Sequence, residues 1–295
     1  MNLLLRSLAR LLAVCPLWAL HGAGRLLGWL VFAASPSYRE RLLDNARRAG
    51  VRPAQVREAI AQAGMMAMEL PRLWLRAPDR PLLGHGARWQ GREHVDAALA
   101  SGRGVVFLTP HMGCFEATAQ IYAETFGAQR PVTVLYRPAR QAVLRELVDA
   151  ARARPHLKTA PATLAGVRQM IRALKAGEVV GMLPDQVPPQ GLGVWVPFFG
   201  RTAYTMTLAA RLAQQTDAVI MLMWGERLPW GRGYVVHAEP LAEPLGPIDD
   251  PAQSATVINR AMERLIMRCP GQYLWGYHRY KQPHADAHLS ASAPD

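Results

Sequence analysis

Short continuous apolar runs alternate along this chain with segments whose apolar residues recur every third or fourth position, the signatures of buried strands and of helices. Val105 to Leu108 form one such run, ended by Pro110, and Phe115, Ala119, Ile121 and Tyr122 then carry helical spacing up to a stop at Gly127. A Val-rich run ends in Leu135 to Pro138. Val167, Ile171 and Leu174 share a helical face that stops at Gly177, and a short apolar strand follows, ending at Asp185. Ala203 to Thr216 read as a helix capped by Thr202, Ala218 to Trp224 as a strand covered on both faces, Gly233 to Leu241 as another strand, and Ala252 to Arg268 as a helix closed by Pro270 and Gly271. This rhythm predicts an α/β fold with a mixed, largely parallel sheet flanked by helices on both sides.

The first 35 residues follow a different pattern. Leu11 to Leu20 and Leu26 to Ala34 are strongly apolar, with His21 and Arg25 between them and Arg6 and Arg10 ahead. Leu11 to Ala33 is long enough to cross a bilayer, although Arg25 makes insertion costly; an in-plane helix is the competing geometry, and a cleaved signal peptide fits less well because the apolar character runs past Leu20. Trp18 and Trp29 suit an interfacial belt or core packing. Arg39, Arg41, Arg47 and Arg48 outnumber the arginines in front, so a spanning segment would leave the remainder on the cytoplasmic side, and either geometry holds the domain at the inner face. Three segments result: an anchor over 1–35, a catalytic domain over 36–282, and a polar, Ala- and Ser-rich tail over 283–295 expected to be disordered.

The formal charge of +12 and the sequence pI near 10.3 call for an anionic partner. Nucleic acid is excluded as the first choice by the lack of zinc-finger spacing, RNP-type aromatics or a basic region with heptads. The arginines are spread through every segment, as suits a surface lying on anionic lipid or docking an acidic carrier. Three cysteines without C-x-x-C spacing fit a reduced cytosolic domain. His284 and His288 have a metal-like spacing but lack a third ligand, so no metal site is expected.

Candidate chemistry centres on VVFLTPHMGCFE. Nine histidines and 22 acidic residues in 295 give about 0.7 chance pairs at five-residue spacing, so His111 and Glu116 need context. They have it: a strand ends just before His111, Gly113 leaves room for a substrate, and Glu116 falls in a helix first turn, where the macrodipole favours a carboxylate. On one regular helix the two would stand about 140° apart, so the pair works only with His111 outside the helix. Asp185 ends a second strand at the same edge, where ligands of such sheets gather; it either meets substrate or holds a loop. Phe198 and Phe199 line a pocket or pack in the core. Cys114, near a helix N-terminus, is either an acyl-enzyme nucleophile with lowered pKa or a small packed side chain. The stretch Gln272 to Lys281 sets aromatics beside His278, Arg279 and Lys281, as at an interface or a phosphate site.

Together these segments resemble the lipid A late acyltransferases, lauroyl and myristoyl transferases of the wider glycerol-phosphate and lysophospholipid acyltransferase superfamily. The resemblance rests on His111-x4-Glu116, Tyr136-Arg137-Pro138, the string from Lys175 to Gln186, Val196 to Gly200, and Gln272-Tyr273-x-Trp275 followed by His278-Arg279-x-Lys281. It departs where Cys114-Phe115 replaces the Asn-Trp of many relatives. It implies a glycerol-phosphate-acyltransferase-like α/β domain with a membrane-associated N-terminal helix at the bacterial inner membrane, the domain on the cytoplasmic face. It also implies transfer of a fatty acyl chain from acyl carrier protein, or coenzyme A, to a hydroxyl of a phosphorylated glycolipid, with no resident cofactor. His111 is then the general base, Glu116 fixes its tautomer, and Arg137 steadies charge on the thioester carbonyl or grips a phosphate. Gly113, Asp185, Phe198, Phe199 and Arg279 complete the expected substrate-binding set. Other acceptors in view are a lysophospholipid, an ornithine lipid or a phosphoinositide mannoside. A serine hydrolase is disfavoured by the absence of G-x-S-x-G, and a non-catalytic lipid-binding protein would not need the His111 and Glu116 pairing.

Overall fold

In the computed structural model the described residues are 11–76, 80–82, 87–136 and 154–284. Three helices come first: α1 (Leu17–Ala34), α2 (Pro36–Arg48) and α3 (Pro53–Leu75). Then follow β1 (Ala87–Gln90), α4 (Arg92–Ala100), β2 (Val105–Leu108), α5 (Phe115–Phe126), β3 (Val132–Tyr136), β4 (Leu157–Pro161), α6 (Leu164–Lys175) and β5 (Val179–Met182). The chain continues through β6 (Gly193–Phe198), β7 (Arg201–Met206), α7 (Leu208–Thr216), β8 (Val219–Arg227), β9 (Tyr234–Pro240) and α8 (Pro251–Arg268).

Seven strands form one sheet in the order β1-β9-β8-β2-β5-β3-β4, in which only the β8–β9 pair is antiparallel. β2 is buried at all four positions, because helices cover both faces of the sheet centre. One face carries Val106, Leu108, Val180 and Met182 beneath α6, α7 and α8; the other carries Val105, Phe107 and Val179 beneath α4 and α5. The mixed, largely parallel sheet expected from the sequence is therefore present.

One expected helix start is corrected. Residues 203–206 belong to β7, which pairs antiparallel with β6, and α7 begins only at Leu208. The reason is the turn between them. Phe198 pairs with Arg201, leaving Phe199 (φ 46°) and Gly200 (φ 71°) as a two-residue loop with both φ positive, the geometry that matches strand twist. That hairpin pairing overrides the helical reading of Ala203 onward, and Thr202 is a strand residue rather than a cap.

α1 is shorter than the apolar run, since the helical residues 11–14 are separated from it by an interruption at Cys15 and Pro16. Its 18 residues span about 27 Å and are apolar enough to cross a membrane by length and composition. Yet it packs along α3 through a stripe of small residues. A Cβ at Gly28 would lie 2.1 Å from the Ile60 carbonyl oxygen, and one at Gly64 2.0 Å from that of Gly24, so the two backbones touch. Leu20, His21, Gly24 and Gly28 are buried in this contact, and Arg25 is paired with Glu58 at 3.4 Å. Trp18, Leu26 and Leu30 face outward, each about two-thirds exposed. The tail beyond His284, with His288, and Arg6 and Arg10 lie outside the described residues.

Candidate active site

β2 and β5 run parallel and in register, Leu108 beside Met182, so the residues that follow each strand emerge at the same edge of the sheet. His111 follows β2 and Asp185 follows β5. The His111 backbone N–H donates to Asp185 Oδ2 at 2.9 Å and its ring Nδ1 lies 2.7 Å from Oδ1, so one carboxylate fixes both the backbone and the ring. Burial alone would raise the Asp185 carboxyl; the His111 ring beside it and the hydrogen bonds His111 donates outweigh burial and hold it below its ordinary value. An ionised carboxylate is acceptor-only, so Nδ1 carries the proton and Nε2 presents its lone pair. The Gln186 amide nitrogen stands 3.0 Å from that Nε2, and the Phe115 ring packs edge-on against the imidazole at 5.0 Å.

His111 lies outside α5 and Glu116 lies in its first turn, as read from the sequence. The tautomer-fixing position expected of Glu116 is held by Asp185. Glu116 sits instead on the wall of a cavity that His111 also lines, with the Trp74 indole N–H directed at its Oε2 from 3.5 Å. Asp185 thus meets the histidine, and Arg137 lies outside the described residues.

The turn carrying His111 is strapped from two sides. Gly113 adopts φ 58° and a Cβ there would lie 1.9 Å from the Gly225 carbonyl oxygen, so only glycine fits; it serves backbone approach rather than substrate approach. Its N–H donates to the Gln272 carbonyl, the Cys114 N–H to that of Gly225, and the Leu274 N–H to that of His111. The segment Gln272 to Trp275 is therefore a clamp on the His111 turn. Beneath it lies a buried ion pair: Arg227 donates to Glu69, to Gln62 at 2.6 Å and to the Gly113 carbonyl at 3.0 Å, while Tyr234 and His21 also reach Glu69. His21, expected as a polar interruption of the anchor, joins α1 to this network. Sequence reading missed Glu69 and Arg227, because nothing in a charged residue's local pattern marks it as buried.

Phe198 and Phe199 take the core-packing alternative, and Arg279 is buried with them. Arg279 is buried, donates to the Tyr204 carbonyl and Thr205 Oγ1 at 2.7 Å each, and stacks over Phe198. Phe199 packs on Trp275 and its N–H is bound by Glu263. All three join the β6–β7 hairpin to the C-terminal segment. Cys114 is fully buried, and burial, followed by the Glu69 carboxylate, pushes its thiol well above the usual range. The helix N-terminus does not activate it, and the packed-side-chain reading stands. No cluster of three potential metal ligands occurs among the described residues.

The cavity reached by His111 has a volume of about 610 Å³ and apolar walls, including Phe107, Phe115, Val134, Met182, Leu212 and Met223. A second, of about 310 Å³, reaches His111, Asp185 and Gln186 between Tyr38 and Met66 on one side and Tyr273 and Tyr277 on the other. One histidine is thus approached from two cavities.

Comparison with known proteins gives concordant matches. Residues 3–282 match the family described as bacterial lipid A biosynthesis acyltransferase. The chain is 32% identical over 223 residues to the lipid A biosynthesis lauroyltransferase of Escherichia coli, covering 74% of this chain and 69% of that protein. It is 28% identical over 185 residues to a lipid A biosynthesis acyltransferase of Haemophilus influenzae, covering 63% and 56%. It is 25% identical over 236 residues to the lipid A biosynthesis palmitoleoyltransferase of Escherichia coli, covering 78% and 72%.

Proposed function

The chain belongs to the bacterial lipid A biosynthesis acyltransferase family, and on that premise we propose that it moves a fatty acyl chain from a thioester of acyl carrier protein, or of coenzyme A, to a hydroxyl of a phosphorylated lipid A precursor. The observation that carries this reading is an apolar cavity of about 610 Å³ ending at a histidine whose Nδ1 is fixed by a buried aspartate. Its volume falls within the range of about 300–1,000 Å³ usual for ligand sites.

His111 acts as general base. The acceptor hydroxyl takes the place of the Gln186 amide at Nε2 and gives up its proton there as its oxygen bonds to the thioester carbonyl carbon. Asp185 keeps the imidazole in the required tautomer and stabilises the imidazolium that forms. The released Gln186 amide is then free to donate to the oxyanion. When the C–S bond breaks, the imidazolium returns the proton to the departing thiolate, yielding ester and thiol. Substrate supplies the nucleophile, so Cys114 has no covalent part. The second cavity gives the acceptor its own approach, as a two-substrate transfer needs.

Membrane attachment comes from the outward apolar side of α1, with Trp18, Leu26 and Leu30 entering lipid at the cytoplasmic face of the inner membrane while the opposite side stays docked on α3. The test is transfer by the full-length protein in detergent. Acyl carrier protein and coenzyme A thioesters are offered with a lipid A precursor, a lysophospholipid, an ornithine lipid or a phosphoinositide mannoside, and products are read by mass spectrometry. Acylation of the lipid A precursor, lost in folded His111→Ala by about 10²–10⁴-fold or more, is expected. Acylation of another acceptor alone would replace the assigned substrate; lipid binding without transfer would favour a non-catalytic role.

A further inference from the structure

We propose that Gly181 sets the length of acyl chain the larger cavity accepts, an inference that rests on reading that cavity as the acyl site. β5 lies between β2 and β3, with Gly181 in register with Phe107 on one side and Val134 on the other. Phe107 is in turn beside Met221, and Val134 beside Thr159. Residues in register on adjacent parallel strands project to the same face. Across five strands that row therefore reads Met221, Phe107, Gly181, Val134 and Thr159, and its one missing side chain is at Gly181. The face is the one covered by α5, and Phe107, Gly181 and Val134 all line the cavity.

Most buried glycines of this sheet's surroundings are explained by backbone contact. A Cβ at Gly104 would lie 2.5 Å from the Leu174 carbonyl oxygen, and one at Gly166 1.9 Å from that of Pro161. Gly181 has no such constraint. Among the described residues a Cβ there meets only Val134 Cγ1, at 3.3 Å, within 4 Å, and its φ is not positive. Glycine inside a strand weakens it. What the absent side chain leaves is space: Gly181 is partly exposed in the middle of a central strand whose neighbours Val180 and Met182 are buried. It precedes Asp185 by four residues, so the bay lies no more than about 14 Å from the catalytic pair. A chain whose thioester is at His111 and whose tail reaches this bay is shortened by any side chain placed there.

The experiment compares wild type, Gly181→Ala and Gly181→Val, each full-length in detergent, with saturated acyl thioesters of graded length. kcat/KM is measured for each donor, and the thermal midpoint is measured with free fatty acids of the same lengths. The expected result is a shift of the optimum to shorter chains, larger for valine than for alanine. The longest donor used by wild type should lose about 10–200-fold, the discrimination typical of one methylene in a hydrophobic pocket. Thermal stabilisation should move to shorter fatty acids in parallel. If Gly181→Val fails to fold, Gly181→Ala carries the same test with one methyl. An unchanged length profile in a folded variant, or an equal loss at every length, overturns the assignment of Gly181. Absence of transfer from every donor by wild type overturns the acyl-site reading beneath it, and this inference with it.

Discussion

Glu69→Gln removes the charge from a carboxylate with no exposed surface and leaves the Arg227 guanidinium buried opposite a neutral amide. Breaking a buried ion pair at one end costs about 3–5 kcal/mol, because the remaining charge has lost its partner and has no water. The depressed carboxyl of Glu69 points the same way. Burial alone would raise this carboxyl, but Arg227, helped by His21, holds it down from 4.5 to about 2. At about 1.4 kcal/mol per pH unit, that depression is worth about 3 kcal/mol of stability. A depressed carboxyl contributes fully above its unfolded pKa and loses the contribution as pH falls through its folded one. The stability gap between wild type and Glu69→Gln should therefore be about 3 kcal/mol at pH 6 and shrink between about pH 5 and pH 2. Denaturant midpoints of the detergent-solubilised proteins, measured across that range, test both numbers. Pairing Glu69→Met with Arg227→Met should recover part of the loss, since the stranded charge is gone, though the Gly113 carbonyl still lacks its donor. A gap below about 1 kcal/mol at pH 6, or one that does not change with pH, would refute the argument.

Asp185→Asn should lower kcat by about 10³–10⁴-fold with little change in KM, because the amide no longer fixes the Nδ1–H tautomer, and Glu116→Gln should cost less; the reverse order in steady-state assays would return the orienting role to Glu116. Cys114→Ser should keep activity within about tenfold, and intact-mass measurement with acyl donor alone should show no adduct on the wild-type protein, whereas a trapped thioester at Cys114 contradicts direct transfer. Gly64→Ala places a methyl 2.0 Å from the Gly24 carbonyl oxygen, so α1 should loosen from α3 at a cost of about 1–3 kcal/mol and become open to limited proteolysis; a cleavage pattern like that of wild type would contradict the docking.

The docking of α1 also separates what is local from what is not. Its apolar composition and the arginines around it are legible in the chain, and they announce a membrane-associated segment. That one side of it belongs to the protein interior, through Gly24, Gly28 and His21, is decided by α3, more than thirty residues away. Hydropathy counts residues without regard to side, so it cannot separate the docked side of this helix from the outward one.

Periodicity and turn residues determined the strand before His111, the first-turn placement of Glu116 and the alternation of strands and helices that builds the parallel sheet, because each element is written within a dozen or so neighbouring residues. Tertiary structure alone decided the rest: that the carboxylate on His111 comes from Asp185 rather than from Glu116 five positions away, that Arg279 and Phe198 turn inward, and that Glu69 and Arg227 meet beneath the His111 turn. The physical reason is plainest for Asp185. Which partner a side chain finds depends on how strands far apart in the chain are registered, and the β2–β5 register that brings Asp185 to His111 is fixed by burial on two helix-covered faces, a property of the assembled sheet and of no single segment of sequence.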